Sequence, residues 1–380
     1  MVDTSAAGGR PLDAPAASTE VRLDRLRPGE IATAMARAPI VWLPLGALEY
    51  HADHLPIGTD GLTGEGLLVR AAQRLGGVVL PWSYLTFGTL ALPWSLRFEP
   101  TLVADALRQT VRQLPPFGVR LAVVHTGHAP LDLLHTIKRV CAEVSAELDD
   151  FQAMGLCYLE LNARLGTGLE TDWPVTVDHG STMETSWAAA LAPDLVATDL
   201  LPDDPAASVV GVYGPNPRFT ADAARGVAQI EAAAELLAQR AAAVLQGEPL
   251  DPFADLRLFV ERYWPERLVL TGRAGDAGAA RIEVMNPGAV SRYVSGLELV
   301  IDGSEVPLGG LSLVNPTLGE TGVPFAASDL GPEHGFYIRR QQTAELRLPH
   351  ALVSGPHRVE LDVRLGGVTD DRYVETIEFS

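Results

Sequence analysis

The chain has 380 residues, 47% of them hydrophobic and 20% charged, with a formal net charge of −19. This length suits two domains, and the composition is that of a globular protein. Such acidity speaks against a nucleic-acid partner, which requires a basic surface, and against docking on anionic lipid, so the expected partner is a small molecule.

Residues 1–19, polar and rich in Ala, Gly and Pro, read as a disordered tail without the pattern of a signal peptide. From Ala38 short apolar runs begin: APIVWLPLG, then GGVVLPW from Gly76, RLAVVHTG from Arg120 and GLCYLEL from Gly155. Runs of this kind predict strands covered on both faces. Between them GLTGEGLLVRAAQRL from Gly61, VADALRQTVRQL from Val103 and PLDLLHTIKRVCAEVSAEL from Pro130 carry helical periodicity. The Ala-rich stretch 220–246 reads as a closing helix. The alternation predicts an α/β domain with a mainly parallel sheet.

After Leu250, ARIEVMNPG, GLELVIDGSEVP, TAELRLP and HRVELDVRLGG alternate apolar and polar residues between turn signals, with no helical period intervening. That pattern predicts an all-β sandwich. The expected partition is a tail at 1–19, an α/β domain at 20–250 and a β-sandwich at 251–380. No apolar run is long enough to span a membrane. Cys141 and Cys157 both lie in apolar stretches and are expected to be buried free thiols. Together these features predict a reducing, cytoplasmic location.

The densest chemistry is LGALEYHADHLPIGTD, residues 45–60. It begins where the first strand ends, and ligands gather at the carboxyl ends of strands in α/β sheets. Glu49 and His51 are two residues apart and project to one side of an extended chain. His54 follows in the same loop. Asp60 precedes the helix expected from Gly61, so its carboxylate either caps that helix or turns towards the cluster. VVHTGHAP ends the strand from Arg120. Its His125 lies inside the apolar run and is expected in the core, whereas His128, past Gly127, is the better ligand. In VDHGSTMETS, residues 177–186, Asp178 and His179 precede a turn and Glu184 opens a helix. The helix dipole alone would favour an acidic residue at that place. The three loops supply carboxylates and imidazoles without thiolates, a ligand set suited to Zn, Mn or Fe(II). GxSxG, P-loop and dinucleotide fingerprints are absent from the sequence.

These residues resemble the motifs of the creatininase (creatinine amidohydrolase) family. The family's first motif, Pro-x-Gly-x-x-Glu-x-His-Gly-x-His-Leu-Pro-x-x-Thr-Asp, is similar to Pro44, Gly46, Glu49, His51, Ala52, His54, Leu55, Pro56, Thr59 and Asp60. Gly127-His128 resembles the second motif. The run from His179 to Ser186 resembles the third, His-Ala-Gly-Glu-x-Glu-Thr-Ser, and a late Gly-x-Pro signature has an echo between Gly214 and Gly226. The likeness covers about residues 20–250.

It implies a three-layer α/β/α domain holding one or two divalent transition metals (Zn, Mn or Fe). Asp60 would bridge, and Glu49, His51, His128 and Glu184 would complete the ligands. His179 would act as acid/base or orient substrate, with Asp178 holding its ring and His54 as the next candidate for proton delivery. Family members hydrolyse C–N bonds of cyclic amides, formamides or short peptides and commonly form homo-oligomers, often hexamers.

Three departures stand out. Ala52 replaces the usual Gly, Pro130 stands where some members place a ligand Glu, and Thr182 replaces the first Glu of the third motif. The ligand set survives but the pocket changes, so creatinine itself is not the expected substrate. GLELVIDGSEVP resembles the small β subunit of C-glycoside deglycosidases, which implies a sugar-linked substrate or an assembly module. The leading reading is a metal-dependent amidohydrolase. The alternatives are a metal-dependent lyase or isomerase on a sugar-derived substrate, and a non-catalytic subunit.

Overall fold

Four short strands, apolar on both faces, form the first sheet in a computed structural model that describes residues 20–166, 178–263, 268–274, 280–286, 292–314, 324–331, 336–338, 343–365 and 369–379. They are β1 (Ile40–Leu45), β2 (Val78–Val79), β3 (Leu121–Thr126) and β4 (Gln152–Cys157). Their order is β2-β1-β3-β4 and every pairing is parallel. Each residue of β1 and β3 is buried, as a parallel strand covered on both faces requires. Alternate side chains serve opposite cores. Ile40, Trp42, Leu121 and Val123 join one, and Val41, Leu43, Ala122 and Val124 join the other.

The helices are α1 (Pro28–Arg37), α2 (Thr59–Leu75), α3 (Pro100–Arg112), α4 (Leu131–Glu147), α5 (Tyr158–Leu165), α6 (Thr182–Leu191), α7 (Pro217–Thr220), α8 (Ala223–Leu245) and α9 (Ala254–Tyr263). Leu67 and Leu68 of α2, Trp187 of α6 and Ile230 and Leu237 of α8 pack on one face of the sheet. Val103 and Leu107 of α3 with Val140 and Val144 of α4 pack on the other. The expected three layers are present.

Two local readings are corrected. GLCYLEL is not one strand: β4 ends at Cys157 and Tyr158 opens α5. Glu160 decides the break, because its Oε2 accepts the Cys157 N–H at 2.8 Å, closing a capping box. A short apolar run cannot by itself distinguish a strand from a buried helical turn. The stretch after Leu250 does contain a helix, α9, whose Leu256 and Phe259 join the first domain's core. The tail expected at 1–19 lies outside the described residues.

The remaining strands are β5 (Val269–Arg273), β6 (Arg281–Met285), β7 (Arg292–Val294), β8 (Gly296–Ile301), β9 (Ser304–Glu305), β10 (Ser312–Val314), β11 (Phe325–Ala326), β12 (Phe336–Ile338), β13 (Thr343–Arg347), β14 (Gly355–Leu365) and β15 (Thr369–Phe379). Nine of them form one sheet, ordered β11-β10-β13-β6-β5-β15-β14-β8-β9, and β12 pairs with β7. All neighbours in the nine-stranded sheet are antiparallel except β5 and β15, joined in parallel by the register pair Gly272–Phe379. The sheet curls so that Ile282 and Leu346 from one side of this seam share a core with Leu299 and Leu361 from the other. GLELVIDGSEVP forms β8, a two-residue turn and β9. Asp302 and Gly303 in the turn have φ of 49° and 81°, as a tight hairpin requires.

No helix among the described residues is long and apolar enough to cross a membrane. Both cysteines are free and buried, and burial pushes the Cys141 thiol up to about 12.

Candidate metal centre

β1 and β3 pair in register from Ile40–Leu121 to Leu45–Thr126, so the loops that follow them leave from the same edge of the sheet. Two glycines let those loops close on the start of α2. A Cβ on Gly46 would lie 2.3 Å from Gly61 N, and one on Gly127 would lie 2.0 Å from Asp60 O. The packing therefore converges on Asp60. That residue sits inside the first turn of α2, which starts at Thr59, and its carboxylate turns into the cluster rather than capping the helix. Ala52 has φ of 58°, a left-handed conformation that Gly adopts without strain. This chain keeps the bend with a methyl in place.

Asp60 faces both ways. Its Oδ1 lies 3.1 Å from His51 Nε2, which is 3.4 Å from Glu184 Oε2. Its Oδ2 lies 3.2 Å from His128 Nδ1, which is 3.0 Å from Glu49 Oε2. Glu49–Asp60–His128 and His51–Asp60–Glu184 thus form two groups whose ligand atoms lie within 4.8 Å of one another. All five residues are buried.

Their outward-facing atoms are held from behind. His51 Nδ1 donates to Glu49 O at 3.0 Å, and His128 Nε2 donates to Phe87 O at 3.1 Å. A carbonyl only accepts, so these outer nitrogens carry protons, and the inner nitrogens would turn lone pairs to a cation that displaced their own protons, the arrangement of metal-ligating histidines. Glu49 Oε1 accepts from Leu90 N–H at 2.5 Å. Glu184 Oε2 accepts from Gly180 N–H at 2.6 Å, and its Oε1 accepts from the Tyr158 hydroxyl at 3.4 Å. Tyr158 escaped the sequence reading because its segment was read as strand. Burial, then the charge of Glu184, pushes its phenol pKa well up, which keeps it a donor.

Electrostatics calls for a cation. Burial alone would depress both imidazoles, yet Asp60 and Glu184 raise His51 well above its ordinary pKa, and Glu49 with Asp60 raises His128 to about 10. Burial alone would raise the carboxyls, yet His128 draws Glu49 down and His51 with His128 draws Asp60 far down. Glu49 Oε2, Asp60 Oδ2 and His51 Nε2 are buried and face only other members of the cluster. Buried lone pairs facing one another are costly unless a positive charge lies between them. An oxygen and nitrogen set without sulfur fits Zn, Mn or Fe(II).

The other candidates divide. The His179 ring stacks on His51 with centroids 4.1 Å apart, and a ring nitrogen falls in a third close group with Glu49 and His51. Its Nε2 donates to Tyr50 O at 2.9 Å. Backbone bonds of 2.8 and 3.3 Å tie His179 to Tyr213, whose ring lies 5.8 Å away. The two oxygens of Asp178 accept from Ser181 N–H at 3.0 Å and from Met183 N–H. This carboxylate caps α6, the helix that carries Glu184, and its hydrogen bonds are not to the His179 ring. Burial and then Glu184 push Asp178 up to about 8.

His54 Nε2 bonds Thr185 Oγ1 at 2.9 Å, bracing the first loop on α6, and burial with His51 lowers its pKa to about 4. His125 lies in the core as expected. Neither ring nitrogen has a partner among the described residues, and burial lowers its pKa to about 3. Val177, the first residue of the run VDHGSTMETS, lies outside the described residues.

The profile of the creatininase (creatinine amidohydrolase) family matches residues 24–246. Creatinine amidohydrolase of Pseudomonas putida is 26% identical over 201 residues, which are 49% of this chain and 75% of that protein. A crystal structure of creatinine amidohydrolase superposes with a TM-score of 0.50 at 24% identity, covering 61% of this chain and 100% of that one. A Bacteroides fragilis protein provisionally designated a creatinine amidohydrolase superposes with a TM-score of 0.52 at 21% identity, covering 62% and 100%. These structural likenesses bear on the fold of the parallel-sheet domain.

Proposed function

Because the chain belongs to the creatininase family, we propose that it is a metal-dependent amidohydrolase that cleaves a C–N bond of a small amide, cyclic amide or formamide. The observation that carries this reading is Asp60, whose two oxygens are divided between two buried carboxylate–imidazole groups. Glu49, Asp60 and His128 would hold one ion, and His51, Asp60 and Glu184 a second. Divalent Zn, Mn or Fe bound there supplies Lewis acidity towards a carbonyl oxygen and a lowered pKa for water.

The chain's own residues handle the protons. His179 has its Nε2–H tied to Tyr50 O, so Nδ1 carries the lone pair. We assign Nδ1 to take a proton from the attacking water and return it to the departing nitrogen as the C–N bond breaks. The water's hydroxyl oxygen ends on the carbonyl carbon, giving an acid and an amine. Stacking on His51 fixes the plane of that ring. Asp178 and His54 act as supports, the first by capping α6 and the second by bracing Thr185.

Ala52, Pro130 and Thr182 depart from the family's motifs, and we expect a substrate other than creatinine. From the sequence resemblance of GLELVIDGSEVP alone, we further propose a role for the β domain in choosing a sugar-linked substrate or in assembly. A homo-oligomer, a hexamer by family resemblance, is the expected state and is checked by sedimentation. The test of function is a screen of lactams, formamides, small amides and glycosyl amides with metal-replete protein. Release of amine and acid is expected. Redox-neutral isomerisation of a sugar-derived ketone, with no amine released, would overturn the reading.

A further inference from the structure

The two groups around Asp60 are held from outside by different parts of the chain. Glu184 and His51 lean on Gly180 N–H, the Tyr158 hydroxyl and Glu49 O. Glu49 and His128 instead lean on the connection between β2 and α3, which contributes no ligand: Leu90 N–H binds Glu49 Oε1, and Phe87 O binds His128 Nε2. The carbonyl of the same peptide unit that supplies the Leu90 N–H, Thr89 O, accepts from Arg97 Nη2 at 2.6 Å.

The segment doubles back to make this contact. Thr89 Oγ1 donates to Leu96 O at 3.1 Å, Phe98 N to Thr86 O at 3.1 Å and Leu96 N to Leu48 O at 2.8 Å. Ser95 Oγ accepts from Tyr50 N at 3.1 Å. The reversal passes through Trp94, which is 81% exposed and has φ of 63°. A bulky residue in that conformation is strained and persists only where its surroundings determine it.

We propose that Arg97 is a positioning residue for the Glu49 side of the cluster, acting through the Thr89–Leu90 peptide, on the reading that the cluster holds metal. A guanidinium on the carbonyl polarises the amide and strengthens its N–H as a donor. It also fixes the peptide plane, so the N–H stays aimed at Glu49 Oε1. With that oxygen engaged, Oε2 is presented inward, where it faces His128 Nδ1 at 3.0 Å. Arg97 itself faces solvent, so its direct field at the cluster is screened and the bonded peptide is the route of its effect.

The experiment is a titration of chelator-stripped protein with Mn²⁺, read by the EPR signal of free ion and by elemental analysis. The proteins compared are the wild type, Arg97→Ala, Arg97→Gln, Arg97→Lys, Glu49→Gln and the Arg97→Ala/Glu49→Gln double variant. Loss of a partner just outside a ligand typically costs about 10–100-fold in metal affinity, and Arg97 is one bond further out. Arg97→Ala and Arg97→Gln should therefore weaken, by roughly 3–10-fold, the equivalent that Glu49→Gln also weakens. Arg97→Lys should recover most of the loss, and Arg97→Ala should add nothing in the Glu49→Gln background. Wild-type affinity in Arg97→Ala and Arg97→Gln, or an equal loss with and without Glu49, would overturn the role of Arg97. A wild-type protein that binds no Mn²⁺ at all would instead overturn the metal reading on which it rests.

Discussion

Both sheets bury apolar side chains, but among the described residues the parallel-sheet domain also buries a cluster of ionisable ones, which the curled sheet does not. At the carboxyl edge of the parallel sheet Glu49, His51, Asp60, His128 and Glu184 are withdrawn from water. In the curled sheet the only buried polar residue among the described ones is Asn286, whose amide donates to Ile338 O at 3.0 Å. Its charges stay outside, as in the Arg358–Glu360–Arg372 ladder on β14 and β15. Burying ionised groups costs stability unless each finds a compensating charge. A domain that keeps five of them together keeps them for chemistry, whereas the second domain needs only alternation to fold.

Removing the shared ligand should have the largest effect. Asp60→Ala is expected to lose bound metal and turnover together, while the curled sheet keeps its β-type circular dichroism. Full metal content in that variant, by elemental analysis, would break the contrast between the domains. Next in size, His179→Ala should keep its metal while kcat falls by about 10²–10⁴. Loss of metal as well would place His179 among the ligands.

The pH dependence of stability sharpens the contrast further. Burial lowers His125 and His135 to about 3, and burial is the main cause for both. Unfolding returns each to an ordinary value of about 6.5, so between those values the unfolded chain binds more protons. Stability from these groups is complete above about 6.5 and is lost as the pH falls towards 3, by up to roughly 1.4 kcal/mol per pH unit for each. Denaturant melts of stripped protein from pH 7 to pH 4 should show that slope, and His135→Phe should flatten it. An unchanged slope would mean that these imidazoles do not govern acid stability.

The smallest effects set one turn in each domain against the other. Ala52→Gly should raise stability by up to about 1 kcal/mol, the left-handed strain relieved less the entropy cost of Gly. Asp302→Gly should lower it, although Asp302 also has positive φ, because its carboxylate accepts the Arg358 N–H at 2.9 Å and bonds His357 at 2.6 Å. Thermal melts that rank the two variants the other way would show that backbone strain is not what separates them.

Glu49, His51 and His128 are legible because they follow the carboxyl ends of β1 and β3, where Glu and His stand out against apolar text, whereas Asp60 and Glu184, in the first turns of helices, are singled out by the likeness to the family's motifs. Their supports are not legible. Phe87 and Leu90 act through backbone atoms, which leave no trace in residue type, and Arg97 acts through one of them. Tyr158 was hidden inside an apolar run, and only the spacing of Cys157 and Glu160 signals the helix start that brings it to Glu184. Asp178 looked like a partner for the adjacent His179, but a carboxylate three residues before Ser181 is equally a cap for the helix that follows. In the second domain, alternation told which face each strand buries and could not tell which strand lies beside which.

The seam between β5 and β15 has a kinetic side. Gly272 and Phe379 must meet across nearly the whole second domain before the two halves of the curled sheet are joined. Closing so long a loop costs chain entropy before any contact rewards it, and folding rates fall as contacts become less local. In the first sheet the closures are shorter, β1 meeting β3 across α2, β2 and α3 and β3 meeting β4 across the single helix α4. Within the curled sheet the β5–β15 seam, the strand pairing most distant in sequence among the described residues, is therefore the last expected to close.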